Sequence, residues 1–127
     1  TIWGQRMISP TRLDDAEPVQ LLKPDQAWEY GRTSLGDPRG IVEAPWVTKV
    51  GERYYLMYSG AGANGETYRV GYSTSSFPLG PYTKFTGNPI IQPARPADVG
   101  IFGPGHHAVW HDQGSNRYWA FYHQKRS

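Results

Sequence analysis

The chain contains no cysteine, which excludes disulfides and thiolate metal sites and leaves the redox compartment open. It carries little net charge, a formal +2 over 127 residues, too little for an electrostatic footprint on nucleic acid. No apolar run approaches the ~20 residues of a membrane-spanning helix. No secretory signal is visible at Thr1, and since the chain begins without Met, an upstream segment removed before maturity is compatible with it. Few windows have helical periodicity. What the sequence has instead is 15 Gly, 11 Pro and 14% aromatics, the composition of many short strands and tight turns. An all-β class follows, at a length compatible with one domain and a modest core.

In chain order, Thr1 to Pro10, with Ile2, Trp3, Met7 and Ile8, is expected to form one strand stopped by proline. Asp14-Asp15 reads as a solvated turn rather than a catalytic or metal-binding pair. Val19 to Lys23 is a short strand stopped by Pro24. Trp28 is expected to pack under a loop, with lining of a sugar site as the other reading. A polar segment from Gly31 to Gly40 follows.

The clearest hairpin joins Trp46–Val50 to Arg53–Ser59 through Gly51-Glu52, where glycine supplies the positive φ of a tight turn. Tyr54, Leu56 and Tyr58 share one face of the second strand, and Tyr55 and Met57 share the other, so both faces are expected to be covered. Arg69–Thr74 is a third strand, Phe77–Pro81 a turn, and Tyr82–Phe85 a short outer strand. The pattern then repeats. Arg53 to Ser59 aligns with Arg117 to His123, 64 positions later, and Val47–Val50 aligns with Val109–Asp112. Hairpins recurring at such spacing fit the blades of a propeller, which run roughly 40–50 residues plus loops.

Each hairpin is introduced by a Pro- or Gly-rich stretch with a polar residue. Before the first stands Ile41-Val42-Glu43-Ala44-Pro45-Trp46, and before the second Gly103-Pro104-Gly105-His106-His107. Pro45 pushes Ala44 towards extended geometry and places Glu43 on a semi-rigid backbone. Taken alone, Glu43 is a surface glutamate at a strand start. Equivalent positions on two blades, however, would turn Glu43 and His106 to one central cavity.

Together with Val50 to Ser59 and Phe77-Pro78-Leu79-Gly80-Pro81-Tyr82, these motifs resemble glycoside hydrolase family 43, from about Gln20 to His123. The resemblance implies the later blades of a five-bladed β-propeller acting on arabinose- and xylose-containing carbohydrate. It yields the expectation of an all-β partial β-propeller of about two four-stranded antiparallel blades. Residues 1–40 would supply outer strands of a preceding blade and a linker, 41–86 a full blade, and 87–127 most of a further one. Two blades leave open flanks, so either the chain is part of a longer one or copies associate into a homo-oligomer.

The resemblance also assigns roles. Glycoside hydrolysis uses a carboxylic acid that protonates the leaving oxygen and a carboxylate that activates water. Glu43 matches the family's general acid in an inverting mechanism. The family's two aspartates, the base and the one that tunes the acid, lie in earlier blades. Asp14, Asp15, Asp25, Asp37, Asp98 and Asp112 do not sit in their contexts. His106 matches an axial histidine that lies below the sugar and often ligates calcium, directly or through water; the other reading is a hydrogen-bonded structural histidine. His107, His111 and His123 read as structural, and zinc is disfavoured. Trp46 and Phe102 are the expected sugar contacts, with Trp110 behind them, while Arg53 and Arg95 read equally as hydroxyl binders or surface charges. The leading reading is thus a glycoside hydrolase, and the alternative is a non-catalytic carbohydrate-binding or purely structural propeller fragment.

Overall fold

The computed structural model of the chain describes residues 1–31, 40–93 and 101–126; Asp37, Arg95 and Asp98 lie outside them. Ten strands are present among these residues, together with one short 3₁₀ turn. β1 (Ile2–Gly4) pairs antiparallel with β4 (Val19–Leu22), and β2 (Met7–Ser9) pairs with β3 (Arg12–Leu13). β5 (Val42–Val50), β6 (Arg53–Gly60), β7 (Arg69–Ser75) and β8 (Thr83–Lys84) form one four-stranded antiparallel sheet in sequence order. β9 (Ile101–Asp112) and β10 (Arg117–Arg126) form a long hairpin that packs beside it. The all-β, partial-propeller expectation is met, with one complete four-stranded sheet and the second repeat present as a two-stranded hairpin.

The expected single strand from Thr1 to Pro10 is instead two, in different sheets. The chain leaves the β1–β4 ladder at Gln5 and Arg6. There the Gln5 amide donates to the carbonyls of Asp14 and Ala16 at 2.7 and 2.8 Å, and the Asp14 N–H donates to the Arg6 carbonyl at 2.9 Å. These bonds satisfy the groups of a short excursion and start the β2–β3 hairpin. The Gly51-Glu52 turn is as expected, with Gly51 at φ +56°.

The core sits on one face of β6. Leu56 and Tyr58 are wholly buried and join Val42, Ile2 and Leu22. On the other face, Tyr55, Met57 and Tyr72 approach Val109 and Tyr118 of the β9–β10 hairpin across an apolar cleft. Trp28 has the packing role. Its indole lies against the backbone of Gly60 and Gly71, where an added Cβ would come within 2.7 Å of the ring. Its Nε1–H donates to Gln26 Oε1 at 2.7 Å.

A buried carboxylate fastens this layer. Glu29, at the end of the turn Ala27–Glu29, is fully buried. Its Oε2 accepts from the backbone N–H groups of Asp25 and Gln26 at 2.7 and 2.9 Å. Its Oε1 accepts from the Tyr58 hydroxyl and from Lys84 Nζ, both at 2.7 Å. Burial, and then the Glu29 carboxylate, hold the Tyr58 phenol far above its ordinary range. Lys84, itself nearly buried, also donates to Asp25 Oδ1 and the Lys23 carbonyl.

Removing one partner of a buried ion pair strands the other charge, whereas an exposed partner contributes little. Lys84→Met is therefore expected to lower unfolding free energy by about 3–5 kcal/mol. Asp25→Ala, at a carboxylate more than half exposed, should cost less than about 1 kcal/mol. Urea denaturation followed by tryptophan fluorescence checks both.

Candidate active site

The inner ends of β5 and β9 share one irregularity. In β5, Glu43 pairs with Ser59 and Trp46 with Met57, so Ala44 and Pro45 together oppose Tyr58. In β9, Gly105 pairs with His123 and Ala108 with Phe121, so His106 and His107 together oppose Tyr122. Each is a β-bulge, which bends the strand and re-aims the side chains beside it. The first bulged residue is left-handed in both, Ala44 and His106 each at φ +50°. An L-residue there costs on the order of 1 kcal/mol or more, and that strain is held by the surrounding sheet.

This register corrects the expected equivalence of Glu43 and His106. The counterpart of Glu43 is Gly105, and the counterpart of His106 is Ala44. Gly105 carries no side chain because the Tyr68 ring occupies its place: an added Cβ would lie 2.0 Å from Tyr68 Cε1. The two strands nonetheless converge. The His106 N–H donates to Ser59 Oγ at 2.9 Å, joining β9 to the residue paired with Glu43. Beside this link lies a cleft of about 260 Å³ lined by Ala44, Pro45, Trp46, His106, His107 and Ala108.

The expected site residues thus fall as follows. Glu43 is half-buried on β5 at the head of the bulge, and Trp46 and His106 wall the adjoining cleft, both with exposed surface. Phe102 sits at the start of β9 opposite Lys125, half-buried, and does not line that cleft. Trp110 is exposed on the hairpin, opposite Trp119. Arg53 is exposed at the β5–β6 turn.

Tyr68 and His123 were not expected here. The Tyr68 ring stacks on His123 with centroids 6.1 Å apart, and His123 lies 5.9 Å from the His106 ring. Tyr68 is fully buried and its hydroxyl makes no hydrogen bond of ordinary geometry, although Glu43 and Ser59 are near enough to affect its titration. Burial is the largest influence and raises the phenol; Ser59 opposes it and the Glu43 carboxylate adds to it. The 64-residue repeat held a signal for His123, since it aligns this residue with Ser59, the partner of Glu43.

His107 is buried, and among the described residues neither ring nitrogen has a hydrogen-bond partner. Burial, and then the proximity of His106, push its imidazole down to about 4.

Three of the four described aspartates serve elsewhere. Asp14 accepts from the Ala16 N–H and pairs with Arg6, which hold its carboxyl below the usual range. Asp25 pairs with Lys84. Asp112 is held low by Ser115 and the backbone of its own hairpin turn. Around His106 lie the His123 ring and Ser59 Oγ, and calcium takes oxygen ligands. Among the described residues, no three His, Cys, Asp or Glu side chains are grouped to hold a metal.

Known proteins share this sequence family and fold. The sequence model of glycosyl hydrolases family 43 matches residues 1–127. A β-D-galactofuranosidase of Aspergillus niger is 34% identical over 88 residues, which are 69% of this chain and 24% of that protein. A thermostable family-43 glycoside hydrolase superposes with a TM-score of 0.81 at 34% identity, over 96% of this chain and 37% of that one. An α-L-arabinofuranosidase from Lactobacillus brevis superposes with a TM-score of 0.78 at 28% identity, over 98% and 37%. The chain thus spans between about a quarter and just over a third of the length of these relatives.

The buried imidazole makes stability depend on pH. His107 titrates near 6.5 when unfolded and near 4 when folded. Between these values the unfolded chain binds more protons, so stability is full above about 6.5 and falls as pH drops towards 4. The loss attributable to His107 should reach roughly 3 kcal/mol. His107→Leu is expected to flatten this part of the profile, as read from denaturant midpoints at pH 7, 6, 5 and 4.

Proposed function

Because the chain belongs to glycosyl hydrolase family 43, we propose that it carries the general-acid side of a glycosidase site, with Glu43 as the acid for an arabinosyl or xylosyl linkage. The supporting observation is the placement of Glu43. It stands half-buried at the head of a strained bulge, beside a cleft walled by Trp46 and His106. A carboxyl on a fixed strand is pre-positioned for proton transfer. In the proposed step the Glu43 proton passes to the glycosidic oxygen as the bond to the anomeric carbon breaks. Water, deprotonated by a second carboxylate, adds at the opposite face of the ring, so configuration inverts. Trp46 offers a flat face to the sugar and His106 a hydrogen-bonding imidazole at the floor.

Among the described residues no second carboxylate lines this cleft, and Asp14, Asp25 and Asp112 are engaged away from it. This supports a second reading, in which the chain binds pentose-containing carbohydrate at the same cleft without turnover. The furanosidase names of two relatives support including furanosides among the substrates tested.

The test is hydrolysis of aryl arabinofuranosides, xylosides and galactofuranosides, and of arabinan and xylan, by this chain and by Glu43→Gln. The hydrolase reading expects turnover that drops by roughly 10² or more in the variant, since general acids contribute 10²–10⁴. A rate rising with the square of protein concentration would identify a second copy as the source of the missing carboxylate. Binding to arabinan or xylan with no turnover would instead establish the second reading.

A further inference from the structure

We propose that Tyr68 is a positioning residue for Glu43: its phenol donates a hydrogen bond to one carboxyl oxygen and leaves the other to carry the transferable proton into the cleft. The inference rests on the general-acid reading of Glu43 for its catalytic meaning, but its geometry stands apart from that reading. The Tyr68 ring is fixed on two sides. Gly105 lies flat against it, with no room even for a methyl group, and His123 stacks upon it. The ring therefore cannot retreat, and its hydroxyl is buried without a partner.

An orphaned buried hydroxyl costs roughly 1–3 kcal/mol, so a nearby acceptor gains by closing on it. Glu43 and Val70 are both cross-strand partners of Ser59, and Tyr68, two residues before Val70, lies on the same face of the sheet, so its polar neighbours there are the Glu43 carboxylate, Ser59 Oγ and the His106 backbone bonded to it. Ser59 Oγ already accepts the His106 N–H, and the His106 N–H is a donor. A carboxylate is acceptor-only when ionised, which makes Glu43 the stronger partner for the phenol proton. When Glu43 gives up its proton, the new carboxylate receives this bond as its charge forms, so the interaction is strongest after transfer. Other titratable or charged groups on the neighbouring strand segments include Arg69, His106, His107 and His123, while Ser59 is uncharged. Tyr68→Phe alters none of them and keeps the ring on Gly105.

The test reads Glu43 directly, by ¹³C NMR titration of the glutamate side-chain carboxyls, with the Glu43 signal identified by its loss in Glu43→Gln. Tyr68→Phe should move the Glu43 midpoint upward by half a pH unit or more, because a donor to the charged form is lost. An unchanged midpoint in a folded variant overturns the proposal. If Tyr68→Phe does not fold, incorporation of 3-fluorotyrosine keeps the ring and strengthens the donor; the midpoint should then fall, and no movement overturns the proposal. This readout needs no turnover, so an inactive chain with the expected shift would sink the hydrolase reading and keep the Tyr68–Glu43 interaction.

Discussion

The structure depends on the burial of Glu29. A charged carboxylate placed in a protein interior is costly unless its lone pairs are filled, and here four donors fill them: two backbone N–H groups, the Tyr58 hydroxyl and Lys84. These donors come from the segment before β5, from β6 and from β8. One carboxylate therefore ties the lead-in segment to both the second and the outermost strand of the central sheet. Asn88 extends the tie, donating to the Tyr72 carbonyl and to Gln26 Oε1, while its own Oδ1 accepts the Tyr72 N–H. The Glu29 carbonyl then accepts the N–H of Ile41, two residues before Glu43. The strand that carries Glu43 thus starts from a position set by a charge network on the opposite side of the sheet.

At the other end of that strand segment the backbone is strained rather than relaxed. Ala44 and His106 sit in the left-handed region at matching places in two bulges, and neither is glycine. Such strain persists only where packing over-determines it. Here the bond from the His106 N–H to Ser59 Oγ holds one bulge against the pair formed by Glu43 and Ser59, and the two inner strands meet in a single cleft. Tyr68, wedged between Gly105 and His123, fills the space behind it.

Polar groups left unpaired also concentrate here. The Tyr68 hydroxyl and both His107 nitrogens are buried without partners, while the groups around Glu29 are satisfied several times over. A satisfied network rigidifies, and an unsatisfied one marks a place where structure is kept for another purpose than stability. The contrast separates the scaffold from the site in one small chain.

Much of this was legible in the residues. Gly51-Glu52 between two apolar strands is a hairpin by local rules, and the 64-residue echo of Arg53–Ser59 in Arg117–His123 placed two hairpins side by side. Glu43, Trp46 and His106 stand out because their Pro- and Gly-rich motifs resemble those of glycoside hydrolase family 43. The single strand expected over Thr1–Pro10 failed because side-chain bonds from Gln5 to a distant backbone broke the ladder, and no local pattern encodes them. Phe102 was named from its place beside the Gly103 motif, but a twist and bulge decide which side chains line a cleft. The sequence by itself determined the all-β class and the hairpins, since these follow from alternation and turn chemistry within a few residues, while the role expected of Glu43 came from the resemblance of its motif to glycoside hydrolase family 43. Only the tertiary structure decided the partner of Glu29, the register that sets Glu43 opposite Ser59 with Gly105 as its counterpart, and the presence of Tyr68 and His123 at the site. Those depend on contacts between segments far apart in the chain, where burial and steric fit, rather than local preference, choose the neighbour.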